Sequence, residues 1–398
     1  MNKQIASINK SVISVVASLA IIGGIAQADL LSNQSPTSNG QQPVISMAEV
    51  NQPKIQIAIL LDTSGSMDGL IDQARNQLWQ TVNEFSKSSR NGVKPVLEVA
   101  LYEYGNDNIN ANQGHTRQVL PLTRNLDQVS EALFSLTTNG GNEYCGYAIK
   151  ASVSELRWSD SDNDIKAIFI AGNEPFSQGP VSFSGAIAMA NTAGVTVNTI
   201  HAGGYDTGIS EGWQKGALLA GGNYMNIDHN QQVAHVVAPQ DKRIAELNQK
   251  LNETYIPYGN DGSEGKGRQQ EQDSNTQGIS IGLLAKRVKA KVSSLYENSN
   301  WDLVDAISAD RVQMESLDEE ALPEEMKEMK IDARADYIAA KAQHRNEIKQ
   351  ELGDLIADRD SYVEQERENS ATAAAPTIVD SLTSAVRQQG EKKSFVFE

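Results

Sequence analysis

Between Lys54 and Ile227 the chain alternates short apolar runs with segments whose apolar residues recur every three or four positions. Ile55 to Leu61 is apolar except for Gln56, and the run stops at Asp62, where Thr63, Ser64, Gly65 and Ser66 follow. An unbroken run of this kind marks a parallel strand buried on both faces. Behind it, Leu70, Ile71, Ala74, Leu78, Val82 and Phe85 form the stripe of an amphipathic helix. Further strands are predicted over 96–104, 117–122 (an edge), 165–171, 195–200 and 224–227, with helices over 126–136, 147–158, 183–193 and 213–220 between them. Regular alternation of this kind predicts an α/β fold, a doubly wound and mainly parallel sheet with helices on both faces.

Past residue 235 the pattern becomes helical. Ile244, Leu247, Leu251 and Tyr255 share one face, and Leu283, Leu284, Val288, Val292 and Leu295 share another within a helix expected over 279–296. The intervening 256–278, with Pro257, several glycines and many polar residues, reads as a long loop or lid. A short helix is expected over 301–307. A long one is expected from Pro323 to Val363, its stripe formed by Met326, Met329, Ala333, Tyr337, Ala340, His344, Ile348, Leu352, Leu355 and Tyr362. About forty residues span about 60 Å. Such a helix needs a partner for its stripe, either the 279–296 helix or a second chain in a coiled-coil oligomer. The expected organisation is a leader at 1–28, a disordered linker at 29–53, the α/β domain at 54–235, a helical region at 236–370 and a mobile tail at 371–398.

The chemistry concentrates where the first strand ends. In an open α/β sheet the carboxyl ends of the strands form the ligand-binding edge. There, Asp62, Ser64 and Ser66 offer one carboxylate and two hydroxyls, hard oxygen donors suited to Mg²⁺. Asp62-Thr63-Ser64-Gly65-Ser66 resembles the metal-ion-dependent adhesion site of von Willebrand factor type A domains, and the likeness covers about 54–235. The resemblance implies a divalent cation (Mg²⁺, or Mn²⁺ or Ca²⁺), a protein partner whose Asp or Glu carboxylate completes the ion's coordination, and no catalysis. It also implies a strand order that reverses beside the first strand, with the Asp62 loop at the switch point.

Two departures from the family pattern bear on the ion. Where the family's second loop offers a Thr, the stretch Thr137 to Gly146 aligns Asn142 or, with one extra residue, Glu143; Thr138 precedes the turn. Where the fourth strand usually ends in Asp, this chain has Gly172, followed by Asn173 and Glu174. One carboxylate is lost and another, Glu143, gained. A site that has lost its metal is the competing reading, with the helical region acting as a scaffold. A hydrolase built on Cys145 with His201 as base is a third. His229 and His235 lack further ligands for zinc, and the acidic stretch 160–164 lacks the glycine and glutamate of a calcium loop.

Composition adds an address. Lys3 and Lys10 precede an apolar stretch from Val12 to Ile25, and Ala26-Gln27-Ala28 supplies small residues for cleavage, which reads as a secretory signal peptide. The protein is therefore expected to be exported, periplasmic or secreted, with no membrane span after cleavage. Without the leader's two lysines the chain has 32 basic and 51 acidic residues, a net charge of −19, which disfavours nucleic acid as a partner. Cys145 is the single cysteine, so no disulfide forms within the chain. N-terminal sequencing of the exported protein should begin at Asp29; recovery of Met1 contradicts the leader.

Overall fold

The computed structural model describes residues 52–228, 230, 235–314, 317–369 and 378–397. The leader, nearly all of the linker, His229 and residues 370–377 lie outside them.

A six-stranded sheet in the order β4-β3-β1-β5-β6-β7 forms the centre. Its strands are β1 (Lys54–Asp62), β3 (Val96–Tyr104), β4 (Thr116–Thr123), β5 (Ile165–Gly172), β6 (Thr196–Ala202) and β7 (Tyr224–Ile227). A short β2 (Ser88–Arg90) lies outside this sheet. All pairings are parallel except β3 with the edge strand β4. The first strand lies between β3 and β5, so the chain leaves it in opposite directions and Asp62 ends at the switch point.

Side-chain alternation sends Ile55, Ile57 and Leu61 to one face and Ala58 and Leu60 to the other. The first face packs on α1 (Asp68–Ser86) and α2 (Leu126–Ser135); the second packs on α3 (Cys145–Glu155), α4 (Phe183–Thr192) and α6 (Trp213–Leu219). A short α5 (Tyr205–Ser210) precedes α6.

The helical region does not form a body of its own. Its helices are α7 (Asp241–Asn252), α8 (Gly262–Ile279), α9 (Ile281–Val292), α10 (Leu303–Ser308), α11 (Glu324–Lys327) and α12 (Ile331–Asn369). Ile244, Leu247, Leu283, Val288 and Leu352 belong to the same apolar core as the sheet residues Ile57 and Phe169. Asn83 of α1 also donates to the Lys286 carbonyl of α9 at 2.9 Å.

Three sequence expectations are corrected here. The expected loop at 256–278 contains the eighteen-residue helix α8. Its sequence hides it because the buried face is polar: Gln272 accepts from Ser130 at 2.8 Å, Gln269 donates to Tyr296 at 3.0 Å, and Asp273 accepts from Asn248 and Asn252 at 2.8 and 2.7 Å. Gly265 marks a close approach, since a Cβ there would stand 2.4 Å from the Trp301 ring.

The long helix starts at Ile331, and Pro323 precedes the short α11 instead. Its buried face is Arg334, Ile338, Arg345, Ile348, Leu352, Ile356 and Arg359, because arginine stems cover apolar surface while their guanidinium groups find carboxylates. Arg345 meets Asp302 at 2.6 Å and lies 4.0 Å over the Tyr255 ring; Arg359 meets Asp241 at 2.5 Å. The stripe's partners are α7, α9 and α10 of the same chain.

The expected mobile tail forms α13 (Ile378–Glu391) and β8 (Phe395–Phe397). Val379, Leu382, Ala385, Val386 and Phe395 are buried, and β8 pairs antiparallel with β2. Gln77 of α1 accepts from the Val379 amide at 2.9 Å, which holds the start of α13.

The junction turns on Arg287 of α9, whose side chain is 0% exposed. It donates to Asp127 of α2 at 2.6 Å, to Asp273 of α8 at 2.6 Å and to the Gln269 carbonyl at 2.9 Å, and it stacks 4.5 Å over Trp79 of α1. Removing one partner of a buried ion network strands the others, at a cost of about 3–5 kcal/mol. Arg287→Met should lose that much in urea unfolding; a loss below about 1 kcal/mol contradicts the role given to this junction.

Candidate functional site

Asp62 closes β1 and is fully buried. Its Oδ1 accepts from the Ser64 amide at 2.7 Å, a turn that folds the loop back over the strand end. Its Oδ2 and the Ser64 Oγ are buried without a hydrogen-bond partner. Ser66 is exposed on the same loop, 3.5 Å from the Asn173 amide nitrogen after β5, and the Asn173 Oδ1 is likewise buried without a partner.

Glu143, 4% exposed, reaches Asp62 from the loop before α3. Its own amide donates to Gln178 at 2.5 Å, and its Oε2 accepts from the Glu174 amide at 3.3 Å. Burial raises the Asp62 carboxyl above the ordinary range. Burial, and then Asp62 itself, push Glu143 up to about 9. Two buried carboxyls in contact with no Lys or Arg between them require a shared proton or a cation.

Of the residues expected from the sequence, Asp62, Ser64, Ser66 and Glu143 converge on this edge. Asn142 is exposed and makes no hydrogen bond to these loops among the described residues, whereas Glu143 is turned inward onto Asp62. Thr138 is hydrogen-bonded to Asp68 at the start of α1. Among the described residues no group of three His, Cys, Asp or Glu side chains surrounds one point. An ion here therefore draws on two carboxylates and on serine and amide oxygens. That donor set and the unpartnered buried oxygens fit a hard divalent cation.

Two residues that sequence reasoning missed explain the glycines. A Cβ on Gly172 would stand 2.4 Å from the Tyr104 hydroxyl and 3.1 Å from Asp62 Oδ2. The Tyr104 hydroxyl donates to the Ala171 carbonyl at 2.9 Å, so a tyrosine at the end of β3 occupies the room a strand-end aspartate needs. Gly105, with φ of +79°, has Asp62 Oδ1 2.7 Å and Glu143 Cγ 2.8 Å from where its Cβ would be, so only glycine suits both the backbone and the space. The adjacent pair Tyr104-Gly105 at a strand end was the available signal.

The Cys145 and His201 pairing is not formed. Cys145 is buried, its thiol pushed up by burial, and its polar neighbour is the Tyr104 hydroxyl at 3.7 Å. His201 lies 3.4 Å from Glu211 and packs against Trp213. A nucleophile needs a base within reach, and no contact joins these two among the described residues.

Residues 56–209 match the family described as the von Willebrand factor type A domain, and this part of the chain is a type A domain. No curated protein matches the chain. Among solved structures it is similar to proximal thread matrix protein 1 from the mussel byssus with a zinc-occupied MIDAS motif (14% identity, TM-score 0.35, covering 45% of this chain and 43% of that one). It is also similar to BatB from Bacteroides thetaiotaomicron (16%, 0.33, 44% and 90%) and to the pilus adhesin SpaC from Lactobacillus rhamnosus GG (14%, 0.33, 45% and 28%). The chain thus spans less than half the length of the byssus protein.

Restoring the family's strand-end residue should fail sterically. Gly172→Asp is expected to cost about 1–3 kcal/mol by overpacking, and adding Tyr104→Phe should recover part of it. Thermal melts of the three variants decide this, and a Gly172→Asp protein as stable as the parent contradicts the packing described.

Proposed function

We propose that residues 54–235 form an exported, cation-dependent protein-binding domain, with a divalent ion (Mg²⁺, Mn²⁺ or Ca²⁺) held by Asp62, Glu143, Ser64 and Ser66. The observation that carries this reading is the buried contact of Asp62 with Glu143, next to oxygens that lack hydrogen-bond partners. Burying two carboxylates together costs several kcal/mol unless something positive joins them. Type A domains are typically interaction modules, and among the described residues Cys145 and His201 make no contact.

The ion would draw the Asp62 loop, the Glu143 loop and the end of β5 into one surface, and a partner would be read by that surface. The sequence led us to expect an Asp or Glu of the partner as the completing ligand, which requires an ion with charge to spare. The second carboxylate alters that expectation, because a 2+ ion between two carboxylates is neutral. The helical region supports the site through α1 and α2, and acts as the domain's base.

A native-state ligand stabilises by mass action, by about 2.7 kcal/mol at a hundredfold excess over its Kd. Millimolar Mg²⁺, Mn²⁺ or Ca²⁺ should therefore raise the melting temperature of the parent. Asp62→Ala should abolish the rise and Glu143→Gln weaken it, while Asn142→Ala leaves it intact. A parent insensitive to all three ions removes the cation from the account.

A further inference from the structure

The charge around the ion position points to a partner of the opposite kind from the one the sequence suggested. Asp62 and Glu143 together cancel a divalent ion, yet three more carboxylates lie at the mouth. Glu174, exposed beside the Asn173 turn, is close enough to raise both buried carboxyls. Asp68, exposed on the first turn of α1, is tied to the second loop through Thr138. Asp107, exposed after β3, approaches Gly140 of the same loop. Among the described residues none of the three is paired with a lysine or arginine; Asp107 has only His115, at 3.9 Å. The nearby arginines are engaged elsewhere: Arg75 by Asp72 and the carbonyls of Leu133, Phe134 and Leu136, Arg117 by Glu103.

The unpartnered buried atoms at this edge include Asp62 Oδ2, Ser64 Oγ, Asn173 Oδ1 and, beside Asp107, His115 Nδ1. In the loaded site Asp62 Oδ2 and Ser64 Oγ go to the ion, so what faces a partner is the set of exposed carboxylates. An approaching carboxylate brings more acceptors and more negative charge. Lysine and arginine bring donors alone, with the positive charge that the mouth lacks.

We propose that the loaded site docks an exposed basic segment of a partner protein through its lysine or arginine side chains, with the ion ordering the loops instead of coordinating a partner's carboxylate. The docking groups meet Glu174, Asp107 and Asp68. This rests on the ion site proposed above.

The test uses the full chain and two fluorescent peptides that differ only in a central Lys-Arg or Asp-Glu pair. Each is titrated with Ca²⁺ or Mg²⁺ present at about 0.15 M ionic strength, where the Debye length of about 8 Å suppresses distant charges. Melting with the ion alone is recorded in parallel. The basic peptide should bind about tenfold tighter or better, and the Asp107→Asn/Glu174→Gln protein should lose about that factor. The Asp354→Asn/Asp358→Asn protein, with the same charge change on the exposed side of α12, should lose less than about twofold. Equal losses in the two proteins, or an acidic peptide that binds at least as well, overturn the proposal. An ion-induced thermal shift combined with preference for the acidic peptide sinks only this inference, whereas absence of any thermal shift sinks the ion site beneath it.

Discussion

Arg287 is the interaction on which the arrangement of the chain depends. A guanidinium does not lose its charge in a protein, so a fully buried one must be surrounded by acceptors. Here they come from opposite sides of the junction, Asp127 on α2 and Asp273 on α8, with Trp79 of α1 beneath. Tyr296 adds a 2.6 Å hydrogen bond to the other Asp127 oxygen, and Lys291 one of 3.0 Å to Asp273. The polar helix α8 has no apolar face with which to dock, so this network holds it. Because α1 begins at the Asp62 loop, the helices that anchor the C-terminal half also carry part of the site.

At the other end of α1 the problem is reversed. Arg287 is a buried cation with two carboxylates; Asp62 and Glu143 are two buried carboxylates without a cation. The departures from the family pattern form a linked set: Tyr104 fills the space above β5, Gly172 makes room for Tyr104, Glu143 brings a carboxylate from the loop before α3, and Gly105 makes room for Glu143 and Asp62. The number of carboxylates is kept while their origin moves from strand end to loop. What changes is how the remaining surface, with Asp68, Asp107 and Glu174 around it, meets a partner.

The sheet was legible because its strands are buried on both faces and therefore announce themselves as apolar runs; β1, β3 and β7 lie where the pattern put them. The meeting of Asp62, Ser64 and Ser66 on one loop was legible because a strand end has a sequence signature, whereas the paired-glycine turn left Asn142 and Glu143 open. What stayed hidden was structure held by polar contacts. Helix α8 has a buried face of Gln269, Gln272, Asp273 and Thr276, and α12 buries three arginines, so a hydrophobic period cannot find either face. Helix α13 was missed for another reason: Val379, Leu382 and Val386 carry a helical spacing, but they follow an alanine-rich stretch, and the helix docks mainly onto α1, far earlier in the chain, with Val379 held by Gln77 and Arg387 by Glu84. Tyr104 was hidden because its role is steric exclusion at the end of β5, a strand that lies beyond β1 in the sheet and far off in sequence.

The central claim is that a divalent ion sits between Asp62 and Glu143 in place of a proton. Anomalous diffraction from crystals grown with Mn²⁺ tests it most directly. The account predicts one peak within about 2.6 Å of carboxylate oxygens from both Asp62 and Glu143, the outer range for hard-cation bonds to oxygen. A peak bound only at Asp107 or Glu174, or no peak at this edge at saturating Mn²⁺, would contradict it.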